Sequence, residues 1–188
     1  EKMSVDDLIK AVCIKSANDA AVLLAELVGG SEDGFVVMMN ERAAELKMTS
    51  TVFKNASGLD ADGHLSTARD IATMSRALMR HDKIFEYTKI WMDTLRGGEI
   101  ELVNTNKLIR FYDGATGLKT GSTDAAGYCI SATAEREGME LIAVVLKGSQ
   151  SQQRFEDAKT MLNYGFATYA LHTVEPAQPL PTMAVQLG

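Results

Sequence analysis

The period of the hydrophobic pattern changes partway along the 188-residue chain, and this limits the fold more than any other feature. Up to residue 80 the apolar side chains recur every three and four positions; from residue 99 they recur every two. Such blocks, when they do not alternate along the chain, give helices segregated from an antiparallel sheet, so the expected class is α/β of the α+β kind.

In the first block Ser4, followed by Asp6 and Asp7, reads as a helix cap, and Val5, Leu8, Ile9 and Val12 carry the helix to about Cys13. Ser16, Asn18 and Asp19 can each cap a second helix over 20–28. That helix is apolar almost all round and ends at Gly29-Gly30, which places it inside the domain. Ser31 caps a third, with Phe35, Met38, Met39, Ala43 and Leu46 as its inward stripe. Residues 49–65 lose all period and carry Asn55, Gly58, Asp60, Asp62 and Gly63, so they are expected to form a long structured loop that walls a site. A further helix runs from Ser66 to Arg80 with Ile71, Met74 and Leu78 facing in.

In the second block 99–103 and 128–134 alternate as strands. Residues 139–146 are apolar on both faces and read as a central strand, joined to its predecessor by a hairpin at Glu137-Gly138. An amphipathic helix over 150–169 carries Phe155, Ala158, Leu162, Phe166 and Tyr169. Residues 175–181 hold all three prolines, a linker signature, and 183–188 alternate like the start of another strand.

The net charge of -6, with no basic run, argues against nucleic acid as a partner, because phosphate binding needs clustered Lys and Arg. Cys13 and Cys129 sit in apolar surroundings and read as two buried thiols. His64, His81 and His172 lie far apart without acidic or Cys partners at ligand spacing, so no metal site is expected.

The chemistry centres on Lys119-Thr120-Gly121, a cation, a hydroxyl and a glycine in succession on a strand. This is a plausible grip for a substrate carboxylate. A phosphate loop needs Gly directly before the Lys and a helix after it, and here Leu118 precedes and a strand pattern follows. Gly-x-Ser-x-Gly does not occur. What remains is a site without a cofactor, made from Ser16 and Asn18 at the head of a helix and Lys119-Thr120-Gly121 on a strand.

Ser16-Ala17-Asn18 and Lys119-Thr120-Gly121, about a hundred residues apart, resemble the second and third motifs of the penicillin-binding serine D-alanyl-D-alanine carboxypeptidases. Asn55-Ala56-Ser57-Gly58-Leu59-Asp60, Ser66-Thr67-Ala68-Arg69-Asp70 and Asn104-Thr105-Asn106 are similar to that family's intervening segments, and the likeness covers nearly all of 1–170. The resemblance implies a penicillin-binding transpeptidase/β-lactamase-like fold and a bacterial cell-envelope enzyme, with peptidoglycan stem peptides ending in D-Ala-D-Ala as substrate and β-lactams as inhibitors. It implies that Ser16 relays a proton, Asn18 holds the substrate amide, and Lys119 supplies charge and proton traffic. Thr120 would donate to the carboxylate, Gly121 would admit the substrate backbone, and Ser122 N–H would be one of two oxyanion donors. Arg154 matches an arginine that helps to bind the carboxylate.

The family's Ser-x-x-Lys nucleophile motif does not occur in the chain; the nearest imitation is Thr51-Val52-Phe53-Lys54. The resemblance therefore implies an internal fragment, with 1–170 a partial carboxypeptidase domain missing its N-terminal strands and 171–188 a linker and the start of a truncated β domain. The missing segment, or another copy of the chain, is then an expected partner at the exposed sheet edge. A non-catalytic binder of D-Ala peptides and a β-lactamase of related fold are the alternatives.

Overall fold

A computed structural model describes residues 2–174. Helix α1 (Val5–Lys10) is capped by the Ser4 hydroxyl, which accepts from Asp7 N at 3.0 Å. It does not stop near Cys13 but widens into a π-helical turn over Ala11–Lys15. Helix α2 (Asn18–Gly29) follows, then α3 (Glu32–Glu45), capped by Ser31. After the loop come α4 (Ala68–Leu78) and α5 (Phe85–Thr88). The antiparallel pair β1 (Met92–Leu95) and β2 (Ile100–Val103) leads to α6 (Leu108–Phe111). The main sheet then forms from β3 (Ala115–Thr123), β4 (Gly127–Arg136) and β5 (Met139–Gly148), in that spatial order and all antiparallel. Helix α7 (Ser151–Thr168) closes the described chain.

The sheet and α7 share one core. Phe155, Ala158 and Leu162 of α7 pack on Ile130, Ala132, Ala134 and Ala143, with Leu108 alongside. The alanines let the helix come close, and at Gly165 a Cβ would lie 2.6 Å from Leu141 Cδ1, so any larger residue would push that methyl group aside. Burying Phe155 alone contributes about 2 to 3 kcal/mol. The turn between β4 and β5 is the expected one. Glu137 and Gly138 both have positive φ (52° and 78°), which matches the twist of a two-residue hairpin.

The structure corrects several further expectations. Helix α2 is not enclosed: Ala20 and Ala25 are buried, but Leu23, Leu27 and Val28 are exposed, because α1 and α3 cover only one of its faces. Strand β5 is not central; β4 is, and β5 forms an edge among the described residues. Its two-sided apolarity comes from helices, since α7 and α4 both pack against it. An apolar run therefore reports covered faces and says nothing about neighbouring strands. Helix α4 does not start at Ser66 but at Ala68, capped by Thr67, and it is Met79 that is buried while Leu78 is exposed. Met38 of α3 is also exposed.

The stretch 49–65 is indeed a loop, held by polar contacts. Asp70 Oδ2 accepts from Ser50 N (3.0 Å) and Thr51 Oγ1 (2.7 Å), and Asn40 exchanges hydrogen bonds with the backbone of Phe53, both at 2.9 Å. At its far end Asp60 accepts from Thr123 Oγ1 at 2.6 Å, which ties the loop to the end of β3. No helix of the described residues is long and apolar enough to cross a membrane. The expected linker and strand at 175–188 lie outside the described residues.

Candidate active site

Ser16 owes its place to the end of the π turn. Its backbone is left-handed (φ 64°, ψ 41°) and its N–H donates to Val12 O at 3.2 Å, while Ala17 N reaches Ala11 O at 3.1 Å. This reversal lets the extended Ala17 start α2 without any side-chain cap. Ser16 and Asn18 thus do not cap the helix as the sequence suggests, whereas Asp19 Oδ1 accepts from the first-turn Ala20 N at 2.8 Å, and the Ser16 hydroxyl is free for other use. Asn18 sits exposed on the first turn of α2, and its side-chain amide has no protein partner among the described residues.

The opposite wall is β3. Alternation puts Lys119 and Gly121 on one face of the strand and Thr120 and Ser122 on the other. Only β4 pairs with it, so among the described residues its second edge has no strand partner. Lys119 Nζ donates to Ser16 Oγ at 2.7 Å, across 103 positions of sequence, and to Thr120 O at 2.6 Å. Burial pulls the Lys119 pKa down to about 8; the Cys13 thiol opposes the shift and the Arg154 charge adds to it. The ammonium is thereby brought close to neutral pH, where it can take up and release a proton. Nothing lies within 4 Å of where a Cβ on Gly121 would stand, so a ligand backbone has room there.

Polar groups hold this wall from beneath. The buried Thr120 hydroxyl donates to Thr105 Oγ1 at 2.7 Å, and Thr105 N donates to Ile14 O at 3.0 Å, which links β3 to the turn before Ser16. Asn106, 1% exposed, donates to Gly117 O at 3.0 Å and accepts from Leu108 N at 3.1 Å. A Cβ on Gly117 would meet Thr88 Oγ1 at 2.9 Å, so the strand passes this point only as glycine. Arg154, on the first turn of α7, donates from Nη1 to Gly121 O (3.0 Å) and Cys129 O (3.2 Å).

The structure therefore joins Ser16 to Lys119 and Thr120 to Thr105, and sets Arg154 against the Gly121 carbonyl; Asn18 and Ser122 stand near these by sequence, on α2 and β3. Sequence reading missed the parts played by Thr105 and Asn106, although their triplet stood out; the signal was there without its partner. It also missed Cys13, three residues before Ser16. Burial raises its thiol, and the Lys119 charge acts the other way. Both cysteines are free thiols. Among the described residues no three His, Cys, Asp or Glu side chains cluster so as to hold a metal ion.

The family profile described as D-alanyl-D-alanine carboxypeptidase matches residues 1–150. Over 175 residues the chain is 42% identical to D-alanyl-D-alanine carboxypeptidase DacF of Bacillus subtilis, which covers 92% of this chain and 45% of that protein. It is 38% identical to DacC of Escherichia coli, covering 99% of this chain and 46% of that one. The chain thus spans about half the length of the curated relatives it matches. Among solved structures, penicillin-binding protein D2 of Listeria monocytogenes in its cefotaxime-bound form superposes with a TM-score of 0.80 at 40% identity, covering 87% of this chain and 67% of that one. A point mutant of Streptomyces K15 DD-transpeptidase gives 0.83 at 30% identity, with 88% and 69% covered. The chain belongs to the D-alanyl-D-alanine carboxypeptidase family.

Proposed function

We propose that this member of the D-alanyl-D-alanine carboxypeptidase family forms the substrate-holding walls of a serine-type D-Ala-D-Ala carboxypeptidase of the bacterial cell envelope. The nucleophilic Ser-x-x-Lys would come from a segment outside these 188 residues. One observation carries the reading: Lys119 Nζ meets Ser16 Oγ at 2.7 Å, which joins the two motifs at a cleft beside the exposed Asn18 and the open face of Gly121.

The chemistry follows from the geometry. A stem peptide laid along the free edge of β3 would place its terminal carboxylate against Lys119 and Thr120, and Asn18 would take a substrate amide. The Thr120 hydroxyl would turn from Thr105 to the carboxylate. The nucleophilic serine would attack the carbonyl of the penultimate D-Ala, with Ser122 N–H donating to the oxyanion, a contact worth about 3 to 4 kcal/mol in comparable enzymes. As the peptide bond breaks, the departing D-Ala amine needs a proton. The Lys119–Ser16 contact supplies a path, because it can reverse direction when Lys119, with its pKa near 8, gives up its proton. Water then hydrolyses the acyl ester. Arg154 belongs to the binding wall through its hold on Gly121. β-Lactams would acylate the same serine.

The test uses a protein that joins this chain to a Ser-x-x-Lys segment. Covalent labelling by a fluorescent penicillin is expected, together with release of D-Ala from a D-Ala-D-Ala peptide and a fall of at least about a hundredfold in both for Lys119→Ala. A joined protein that folds yet does not label would sink the proposal. Saturable D-Ala-peptide binding without labelling would instead mark a non-catalytic binder, and rapid penicillin turnover would mark a β-lactamase.

A further inference from the structure

Residues 55–60 are built around one side chain. Asn55 Oδ1 accepts from Gly58 N at 2.7 Å and its Nδ2 donates to Leu59 O at 2.9 Å, so the backbone winds about the amide. Glu32 Oε1 accepts from Ala56 N at 3.0 Å, which anchors the turn to the start of α3. Asp60 follows directly. Its backbone is therefore placed by the loop before its side chain meets β3.

What it meets is the end of the strand. Thr123 is the last residue of β3 and pairs with Gly127 of β4, so residues 124–126 form a short hairpin turn. Thr123 Oγ1 donates to Asp60 Oδ1 at 2.6 Å and accepts from Ala126 N at 2.9 Å, while Ala125 N donates to Asp60 Oδ2 at 3.4 Å. One carboxylate thus reaches both the start and the middle of the turn. The short contact is that of a hydroxyl bonded to a carboxylate, the stronger kind of hydrogen bond. Among the described residues β3 has a strand partner on one side only, so its last residues lack a second ladder to hold them. Ser122, whose N–H the proposed mechanism uses, is the neighbour of Thr123. Any shift of the turn passes to it through a single peptide unit, and an oxyanion donor works only at close, fixed range.

We propose that Asp60 is a positioning residue for the acyl-transfer step: through Thr123 Oγ1 it pins the end of β3, and with it the Ser122 N–H, to the loop over 49–65. The proposal rests on the reading of this cleft as a D-Ala peptidase site. The role asks for an acceptor at residue 60 and for no contact with the substrate. The loop then braces the strand end from outside, as a second neighbouring strand would.

The experiment compares wild type, Asp60→Ala, Asp60→Asn, Thr123→Val and the double variant Asp60→Ala/Thr123→Val in the protein joined to its Ser-x-x-Lys segment. The readouts are kcat and KM for release of D-Ala from a D-Ala-D-Ala peptide, and the affinity of a peptide boronic acid, whose tetrahedral adduct with the serine puts an oxygen at the oxyanion position. Asp60→Ala is expected to lower kcat about tenfold with KM within about threefold of wild type, and to weaken the boronic acid by a similar factor. Asp60→Asn, which keeps an acceptor for Thr123, should hold kcat within about threefold. The double variant should be slower than the slower single one by no more than about twofold, because the two residues act as one unit. A raised KM at unchanged kcat in Asp60→Ala would mean that Asp60 touches the substrate, and would overturn the proposal. So would an unaltered kcat, an Asp60→Asn as slow as Asp60→Ala, or losses that multiply in the double variant. Wild type that neither releases D-Ala nor labels with a fluorescent penicillin would remove the peptidase reading instead. Amide hydrogen exchange over residues 122–126, expected to quicken about tenfold in Asp60→Ala and Thr123→Val but not in Asp60→Asn, then decides the brace on its own, and unaltered exchange there would overturn it.

Discussion

The two sides of the Lys119–Ser16 contact are built differently. On the β3 side buried polar groups are tied to one another: Thr120 to Thr105, Asn106 to Gly117 O, Thr88 to Thr116 O at 2.7 Å, and Thr116 to Thr133 at 2.8 Å. On the helical side Ser16 and Asn18 stand at the head of a helix whose outer face, with Leu27 63% exposed, is uncovered. Their position depends on a left-handed turn and a few backbone bonds. Buried hydrogen bonds are costly to leave unmade, so the first wall is stiff and resists any change of partner. The second wall has fewer such constraints and is the side from which the site can adjust.

Breaking this contrast at its strong end should give the largest effect. Asn106→Ala strands the Gly117 carbonyl and the Leu108 N–H, and a loss of about 3 kcal/mol is expected in urea unfolding. Leu27→Ala on the exposed face should stay within about 0.5 kcal/mol. Equal losses would mean that the walls do not differ.

The contact between the walls has its own signature in pH. The folded pKa of Lys119, about 8, lies below the ordinary 10.5, so between these values the unfolded chain binds more protons than the folded one. Stability contributed by this group is therefore lowest below pH 8 and rises as the pH climbs toward 10.5. Carboxylate binding that depends on the ammonium should weaken over the same rise. Thermal melts of wild type and Lys119→Met from pH 7.5 to 10.5 will show it: the alkaline gain should vanish in the variant.

The smallest effect belongs to the helical wall. Ser16→Gly relieves the positive φ and should add up to about 1 kcal/mol by denaturant titration, while removing the hydroxyl that Lys119 meets. A loss of stability would show that the hydroxyl, and not the turn, holds that wall in place.

Much of this was legible from residue order. The hairpin at Glu137-Gly138, the strand over 128–134 and the helix with Phe155, Ala158 and Leu162 all announce themselves by local pattern, because neighbouring residues set them. The pairing of Ser16 with Lys119 was implied by the family resemblance that their two short motifs carry. The failures share one cause. Whether α2 is covered, whether β5 has a neighbour on each side, and what Arg154 grips are all set by distant backbone, and no local pattern records them. Ser16 looks like a cap because Ser before a helix so often caps it; the left-handed turn that frees its hydroxyl arises from the π-helical end of the preceding helix. Thr105 and Asn106 look like ordinary polar loop residues until Thr120 and Gly117 come to lie beside them.

The contact between Lys119 and Ser16 closes a loop of 103 residues, more than half the chain. Such a contact cannot be assembled early or locally, since its closure entropy must be met by the packing of everything in between. The site is consequently a witness to the completed fold. A nick or a local opening anywhere between the two residues weakens the coupling that brings them together, so a molecule able to hold its ligand has already passed a test of integrity over most of its length.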